Sequence, residues 1–211
     1  MSRAVLAIGS NVGDRFYHLN SVVIALGDRL VGVSSVYENP AFGPIPQQAF
    51  LNAVAIATDD SAQPSDWLSF ASRMEQIAGR VRELRWGPRS LDVDVVTVHH
   101  QGSHVFSDDP WLRLPHPGSH ERACVLLPWA QISPDDELLG RGRVSDLLAA
   151  LPSAARSRSA GRTSPSSTRA RCQSSASATS PRTAARTAWS GRSRTPTTSC
   201  STATSGHRSR R

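Results

Sequence analysis

The chain has 211 residues and a formal net charge of +7, and that charge is divided unevenly along its length. Residues 1–152 hold all 17 acidic residues and 12 of the 24 basic ones, whereas residues 153–211 hold the other 12 basic residues and no acid. No apolar run approaches the ~18–20 residues of a membrane helix, and the three cysteines have neither disulfide-framework nor zinc spacing. We therefore expect one cytoplasmic domain over 1–152, followed by a tail over 153–211.

The first half of the domain alternates between strand and helix patterns. Arg3–Gly9 is a short apolar run that ends in Gly-Ser, which predicts a buried strand. Asp14 can cap a following helix, and the apolar positions of that helix recur every three or four residues. They are Phe16, Leu19, Val23, Leu26 and Leu30. Val31–Tyr37 is β-branched and alternates, so it predicts a second strand, and Glu38–Gln48 with its three prolines predicts a loop.

The second half repeats the pattern and then adds helices. Phe50–Thr58 predicts a third strand, and Ser65 can cap a second helix that ends near Gly79. The apolar face of that helix is Leu68, Ala71, Met74 and Ile77. A basic loop at Arg80–Arg89 leads into a fourth strand at Ser90–Val98. Two shorter helices are predicted at Ala123–Leu127 and Val144–Leu151.

This order of elements predicts an α+β fold. Strand, helix, strand, strand, helix, strand is the ferredoxin-like arrangement, in which a four-stranded antiparallel sheet carries its helices on one face. The two later helices would be C-terminal additions to that core.

The tail has a composition that cannot form a core. Residues 153–211 are mostly Ser, Arg, Thr, Ala and Pro and lack Leu, Ile, Val, Phe and Met, so they cannot bury enough apolar surface to offset chain entropy. A natural disordered tail and the frameshifted end of a GC-rich gene both fit this composition. A nucleic-acid-binding arm is a third interpretation, because 12 arginines could neutralise phosphates. Against it, Trp189 is the only aromatic residue among them.

The strongest local signal is the segment Trp-Gly-Pro-Arg-Ser-Leu-Asp-Val-Asp at residues 86–94. Asp92 and Asp94 are two apart on a predicted strand, so their carboxylates leave the same face about 7 Å apart. Such a pair suits one or two Mg²⁺ ions whose other ligands come from phosphates and water. The alternative is a strand with two solvated acids.

Clustered arginines favour the first interpretation. Four of them precede the paired acids within fifteen residues, namely Arg80, Arg82, Arg85 and Arg89. Guanidinium groups take phosphate oxygens while carboxylates take the cations, so the combination suits a metal–polyphosphate complex. A helix dipole could explain Arg80 and Arg82 near a helix C-terminus, but not Arg89.

These residues resemble the signature of the hydroxymethyldihydropterin pyrophosphokinase family. Five other segments resemble that family in order along residues 4–151: Ala7–Asn11, Tyr37–Pro44, Phe50–Ala53, Gly79–Arg82 and Leu114–Pro117 with Arg122. The resemblance implies the ferredoxin-like fold, and a monomeric enzyme that transfers diphosphate from ATP to 6-hydroxymethyl-7,8-dihydropterin with two Mg²⁺ ions. No membrane and no nucleic acid would be involved.

The resemblance also implies residue roles. Asp92 and Asp94 would bind Mg²⁺, and Arg80 and Arg89 would assist the transfer. The ATP-binding residues would be Arg82, Arg89, His116 and Arg122. The pterin-binding residues would be Asn39, Pro40, Phe42, Phe50, Asn52 and Cys124. Trp86 would belong to a lid that excludes water.

Three departures from the family pattern bear on these roles. Cys124 stands where many members have an aromatic residue that stacks on the pterin, and Pro117 replaces a frequent tyrosine. The loop between Arg82 and Trp86 is about one residue shorter than in some members. The rival interpretation is a ferredoxin-like nucleic-acid-binding module. Against it, this sequence lacks the aromatic segments with which such sheets bind nucleic acid. A third interpretation of the chain is an inactive product of a damaged gene.

Overall fold

An antiparallel six-stranded sheet organises the residues that the computed structural model describes, which are 1–41, 44–80 and 87–153. Its lateral order is β2-β4-β1-β5-β6, and β3 also pairs with β4. The strands are β1 (Ser2–Ser10), β2 (Leu30–Val33), β3 (Tyr37–Asn39), β4 (Phe50–Asp59), β5 (Asp92–His100) and β6 (Ser103–His104). The central strands are therefore β4, β1 and β5.

Four α-helices, two single-turn 3₁₀ helices (Gly27–Arg29 and Ser119–Glu121) and two small hairpins complete the described part of the chain. The helices are α1 (Arg15–Leu26), α2 (Pro64–Ile77), α3 (Ala123–Ile132) and α4 (Val144–Ala150). The hairpins are β7 (Ser107–Asp109) with β8 (Leu112–Leu114), and β9 (Glu137–Leu138) with β10 (Gly142–Arg143). Within residues 1–41, 44–80 and 87–153, no helix is long and apolar enough to cross a membrane.

Helices cover both faces of the sheet: the two helices of the predicted core share one face, as expected, and the two later helices, whose face was not predicted, cover the other. On the first face, α1 and α2 pack on a core that includes Leu6, Leu19 and Trp67. On the second face, α3 and α4 pack on a separate core that includes Val5, Val54 and Trp129. In the middle of β1, β4 and β5 the side chains that point to either face of the sheet are apolar, so helices must pack on both faces to bury them. The two-sided burial follows from that double pattern.

The sheet also has more strands than the expected four. The predicted second strand is divided into β2 and β3, and Ser34 lies in the break. There the backbone N–H of Ser34 donates to the Val54 carbonyl at 2.9 Å, while the Ser34 hydroxyl accepts from the Val54 N–H at 3.0 Å. The hydroxyl thus replaces a backbone acceptor where the strand is irregular. The sixth strand arises because β5 continues through a tight turn into β6.

The helix positions were predicted well and their buried faces less well. Asp14 caps α1 as expected, accepting from the Tyr17 N–H at 3.0 Å. In that helix Val22 is fully buried, whereas Val23 is only half-buried. In α2 the cap is a capping box formed by Gln63 and Asp66, not Ser65. Trp67 takes the buried position expected of Leu68, and Ile77 is exposed.

A β-bulge interrupts the pairing of β1 with β5. Leu6 lies opposite Val95 and Val5 lies opposite Thr97, so Val96 is the extra residue. Asp92, Asp94 and Val96 therefore share the second face, and Thr97 joins them there opposite Val5. Beyond the bulge the alternation resumes one residue later, which brings His99 onto the second face opposite Arg3.

Lowering the pH should destabilise the fold through His99. Its Nε2 lies 2.7 Å from Nδ1 of His104, and burial, followed by His104 and Arg3, lowers the pKa of His99 against the weaker opposing effect of Asp136. The folded state therefore binds fewer protons at this site than the unfolded state. That contribution to stability is present above pH ~6.5 and is lost as the pH falls through the lowered pKa. Urea unfolding of wild type and His99→Gln at pH 7.5 and 5.5 should show a smaller pH effect in the variant.

Several predictions lie outside the described residues. They concern Phe42, Arg82, Trp86 and the tail from residue 154 onward, together with its disordered, frameshifted and nucleic-acid-binding interpretations.

Candidate active site

The candidate site lies on the second face, where the ends of β1, β4 and β5 are adjacent. Gly9 of β1 pairs with Asn52 on one side and with Asp92 on the other. A Cβ atom at Gly9 would stand 3.0 Å from Asn52 Oδ1, 3.6 Å from Phe50 Cδ1 and 3.9 Å from Asp92 Cβ. Gly9 therefore forms a floor without a side chain, on which a ligand could approach both the amide and the carboxylate.

Two arginines form ion pairs with the carboxylate of Asp92. Arg80 Nη1 lies 2.6 Å from Oδ1 of Asp92, and Arg89 Nη1 lies 2.5 Å from its Oδ2. Both carboxylate oxygens thus have a guanidinium partner, and the side chain of Arg80 is only 6% exposed. The predicted catalytic pair, Arg80 and Arg89, is brought to the predicted metal-binding carboxylate.

Asp94 has more distant charged partners than Asp92. Its carboxylate lies 3.6 Å from His116 Nε2 and 3.7 Å from Arg122 Nη1, too far for close ion pairs. Burial, and after it the charge of Asp92, raise the pKa of Asp94, although His116, Arg122 and Arg89 oppose the shift. The backbone N–H of His116 donates to the Val96 carbonyl at 2.8 Å, which fixes the ring's position beside the acids. Of the four predicted ATP-side residues, Arg89, His116 and Arg122 converge here.

The two carboxylates fit a magnesium ion better than a transition metal. Among the described residues no group of three or more His, Cys, Asp or Glu side chains could enclose a metal. Two hard oxygen donors are what Mg²⁺ takes from a protein when phosphates and water supply its other ligands. Burial, and after it the charge of Asp92, disfavours the ionised form of Asp94 and raises its pKa, and a bound cation would stabilise that ionised form.

Glu75 supports this arrangement from α2. Its Oε1 accepts from the guanidinium of Arg80 and from the backbone N–H of Val93 at 3.0 Å, and Val93 lies between the two aspartates. The backbone N–H of Arg80 also donates to the Glu75 carbonyl at 3.0 Å. In the sequence, Glu75 is an acid on the predicted second helix shortly before the basic loop, and this position alone indicates no more than an ion-pair partner for a loop arginine.

The predicted pterin-binding residues lie next to the carboxylates on β3 and β4. Asn52 Nδ2 donates to Oδ1 of Asn39 at 3.0 Å, and Asn39 pairs with Phe50 across the strands. Asn39 is buried, Phe50 and Asn52 are half-buried, and Pro40 is exposed just beyond β3. The two amides and the ring of Phe50 thus lie together beside Gly9, and we refer to this set of residues as the candidate pterin slot.

Cys124 lies at the start of α3, above the same face. Burial raises the pKa of its thiol, and Asp94 and Asp92 add to that effect while Arg122 opposes it. The side chain packs against the core of the second face, two residues after Arg122. Cys124 therefore joins the site from the helix side, as a small neutral side chain.

Asn11 joins three segments of the site and was not predicted as a site residue. It is 1% exposed, and its Oδ1 accepts from the Arg89 N–H at 2.7 Å. Its Nδ2 donates to Gln47 Oε1 at 2.8 Å and to the Gln48 carbonyl at 3.1 Å. The loop that carries Arg89 is thereby tied to the segment that enters β4. The Gly-Ser-Asn turn was the only sequence signal for it.

Comparisons with known proteins agree on one family. The family model described as 7,8-dihydro-6-hydroxymethylpterin-pyrophosphokinase (HPPK) matches residues 5–134. A Mycobacterium tuberculosis (strain H37Rv) protein named 2-amino-4-hydroxy-6-hydroxymethyldihydropteridine pyrophosphokinase is 44% identical over 164 residues, which are 74% of this chain and 87% of the relative. A Methylorubrum extorquens protein of the same name is 42% identical over 155 residues, which are 72% of this chain and 94% of the relative.

A solved structure is similar in fold. The Plasmodium falciparum HPPK-DHPS structure with SDX-DHP aligns with a TM-score of 0.50 at 12% sequence identity. The alignment covers 71% of this chain and 43% of that one, so this chain spans less than half of the solved protein's length. The similarity supports a mixed α/β architecture built on an antiparallel sheet.

Proposed function

This chain belongs to the 7,8-dihydro-6-hydroxymethylpterin-pyrophosphokinase family, and we infer that it is a transferase of folate biosynthesis that moves a diphosphate from ATP to 6-hydroxymethyl-7,8-dihydropterin. The products are the pterin diphosphate and AMP. The observation that carries this inference beyond the family match is the adjacency of two groups on one sheet face. One is the carboxylate pair Asp92 and Asp94 with its arginines, and the other is the amide pair Asn39 and Asn52.

The two groups suit the two substrates. Arg89, His116 and Arg122 would bind the triphosphate, and Arg80 would assist the transfer after leaving Asp92. Asn52 and Asn39 would hydrogen-bond the edge of the pterin ring, with Phe50 on one side of the slot and Cys124 on the other. The roles of Pro40, Phe42, Arg82 and the lid residue Trp86 stay predictions.

We also propose that Asp92 and Asp94 hold two Mg²⁺ ions together with the ATP phosphates. Mg²⁺ bound there would neutralise charge on the transferring phosphates. Asp92 must then exchange its two guanidinium partners for the cation. Arg89, once released, is positioned to turn its charge toward phosphate oxygens, which it binds through the same N–H groups.

In the proposed transfer no protein side chain forms a covalent bond to the substrates. The pterin hydroxyl oxygen attacks the β-phosphorus, the bond from that phosphorus to the α-phosphate oxygen breaks, and AMP leaves as the hydroxyl proton is released. None of the residues predicted from the sequence is an obvious general base. The rate enhancement should therefore come from holding the two substrates together and from stabilising charge.

The finer structural assignments are also proposals. The lateral order β4-β1-β5, with β2 and β3 together beside β4 and with α1 and α2 on one face, supports a ferredoxin-like core. We place the catalytic domain within residues 1–152, because α4 ends at Ala150. A cytoplasmic monomer is the expected form, and light scattering would test its mass.

The direct test uses the full-length chain with Mg²⁺-ATP, with and without 6-hydroxymethyl-7,8-dihydropterin. AMP that forms only when the pterin is present is the expected result. ADP in place of AMP would mean that a different phosphorus is attacked. A folded chain that releases no nucleotide with the pterin present would contradict the proposed reaction.

Replacing Gly9 with alanine should weaken pterin binding about tenfold, which corresponds to about 1.4 kcal/mol. The added Cβ would lie 3.0 Å from Asn52 Oδ1, so the amide must move away from its position beside Asn39. Overpacking of this kind costs about 1–3 kcal/mol. The dissociation constants for the pterin and for Mg²⁺-ATP should be measured separately.

Gly32→Ala is the matched control for that substitution. Gly32 lies on β2 of the same sheet, and a Cβ atom added there would meet no other atom within 4 Å. It should bind the pterin like the wild type. Equal affinity in Gly9→Ala would show that the floor at Gly9 does not shape the slot.

A further inference from the structure

Arg15, the first residue of α1, contacts both strands that carry the candidate pterin slot, at the end of β3 and directly before the start of β4. Its Nη1 donates to Glu38 Oε1 at 2.8 Å and to the Ala49 carbonyl at 2.7 Å. Glu38 precedes Asn39 on β3, and Ala49 precedes Phe50 on β4. One nitrogen therefore joins the outgoing and incoming strands directly next to two residues of the slot.

These contacts are made behind the slot. Along β3, Tyr37 and Asn39 are buried on the second face, where the Tyr37 hydroxyl reaches Gln131 of α3, while Glu38 between them is exposed on the side of α1. The side chain of Arg15 is 26% exposed and that of Glu38 is 47% exposed. The guanidinium is thus separated from the ligand side by the sheet itself, and it cannot act by touching the substrate.

We propose that Arg15 is a positioning residue that sets the affinity for the pterin by holding β3 and β4 in register at the mouth of the slot. The role rests on the proposed function. The contact with the Ala49 carbonyl contributes most, because a charge-assisted hydrogen bond to the backbone fixes the strand itself. The ion pair with the half-exposed Glu38 contributes less, because solvent screens it.

The chemistry at the phosphates is independent of this contact. Arg15 has no contact with Asp92, Asp94, Arg89 or His116 among its described hydrogen bonds and ion pairs. Losing Arg15 should therefore raise the KM for the pterin and leave kcat and the KM for ATP nearly unchanged. If Arg15 only stabilised the fold, its loss would not raise the KM for the pterin while leaving kcat and the KM for ATP unchanged.

Arg15→Ala should raise the dissociation constant for the pterin about tenfold, the size expected for the loss of one hydrogen bond from a charged donor. Arg15→Lys keeps the charge with a single contact point, so about a threefold rise is expected. Glu38→Gln should change the constant less than about twofold. The double variant Arg15→Ala/Glu38→Gln should bind no more weakly than Arg15→Ala alone, because the two side chains act through one contact.

Arg29→Ala is the matched control. It removes the same charge just beyond the same helix, where Arg29 donates to the Leu26 and Ala25 carbonyls and stacks over Phe70. It should bind the pterin as tightly as the wild type. All variants are full-length chains, and the binding is measured with Mg²⁺ and an ATP analogue that cannot transfer its diphosphate.

Hydrogen exchange in the unliganded chain supplies the second measurement. Amides of residues 49–51 should exchange faster in Arg15→Ala than in the wild type, and not in Arg29→Ala. If wild type binds no pterin, both the proposed function and this role are wrong. If wild type releases AMP while Arg15→Ala keeps its pterin affinity, or loses affinity for ATP equally, the positioning role alone is wrong.

Discussion

Replacing Asp94 with asparagine should lower pterin-dependent AMP release about a hundred- to a thousandfold without destabilising the fold. The substitution keeps the side chain's size and removes the charge that would hold a magnesium ion. Burial and the nearby Asp92 already raise the pKa of Asp94, so the folded state holds that anion at a cost. The midpoint of urea unfolding should therefore stay the same or rise. Initial rates and unfolding curves on the same preparations would test both parts.

Asp108→Asn makes the same change of charge away from the site. Asp108 lies exposed on β7, so neither its rate nor its stability should change measurably. An Asp94→Asn variant within tenfold of the wild-type rate would remove Asp94 from the proposed metal site. A variant that is inactive and also strongly destabilised would mean that Asp94 acts chiefly in folding.

Replacing Glu75 with alanine should lower the free energy of unfolding by about 3 kcal/mol. The substitution strips Arg80 of a buried partner and leaves the Val93 N–H without its carboxylate acceptor. Both side chains of the pair are at most 10% exposed, so solvent cannot replace the lost contacts. Urea unfolding followed by tryptophan fluorescence would measure the change, because Trp67 lies in the adjacent core.

Two variants calibrate that measurement. Glu75→Gln keeps an acceptor for the Val93 N–H and loses only the charge, so its stability should lie between those of the wild type and Glu75→Ala. Gln76→Ala changes an exposed neighbour on α2 and should be silent. A loss below about 1 kcal/mol in Glu75→Ala would show that the ion pair merely balances its own desolvation.

Much of the fold could be predicted because local patterns agree with the tertiary structure. The Asp14 cap fixed the start of α1, and the two-residue spacing of Asp92 and Asp94 placed both on one face. The errors in the helices concern single positions. In α2 the capping box at Gln63 and Asp66 starts the helix ahead of Ser65. The buried residue of its first turn is Trp67, whereas Ala71 and Met74 are buried as predicted.

The site was predicted where its residues form one segment and missed where they meet across the chain. Asp92 and Arg89 are three residues apart, so one motif contains both. Asn11 and Arg89 are 78 residues apart, and Arg15 lies 34 residues from Ala49. Spacing in a single sequence carries no signal for such contacts. The covering of the second face by α3 and α4 was missed for a related reason, because short helices do not indicate which surface they cover.

The bulge at Val96 divides β5 into two parts with different requirements. Before it, alternation from Asp92 to Asp94 must be kept, because a shift by one residue would turn both carboxylates toward the α1 and α2 core. After it, Thr97 and Val98 are still buried, and exposed side chains begin only in the turn at residues 101–102. Insertions and deletions in descendants of this gene are thus tolerable in that turn and should be rare before it, so natural selection can alter the end of the hairpin without altering the chemistry.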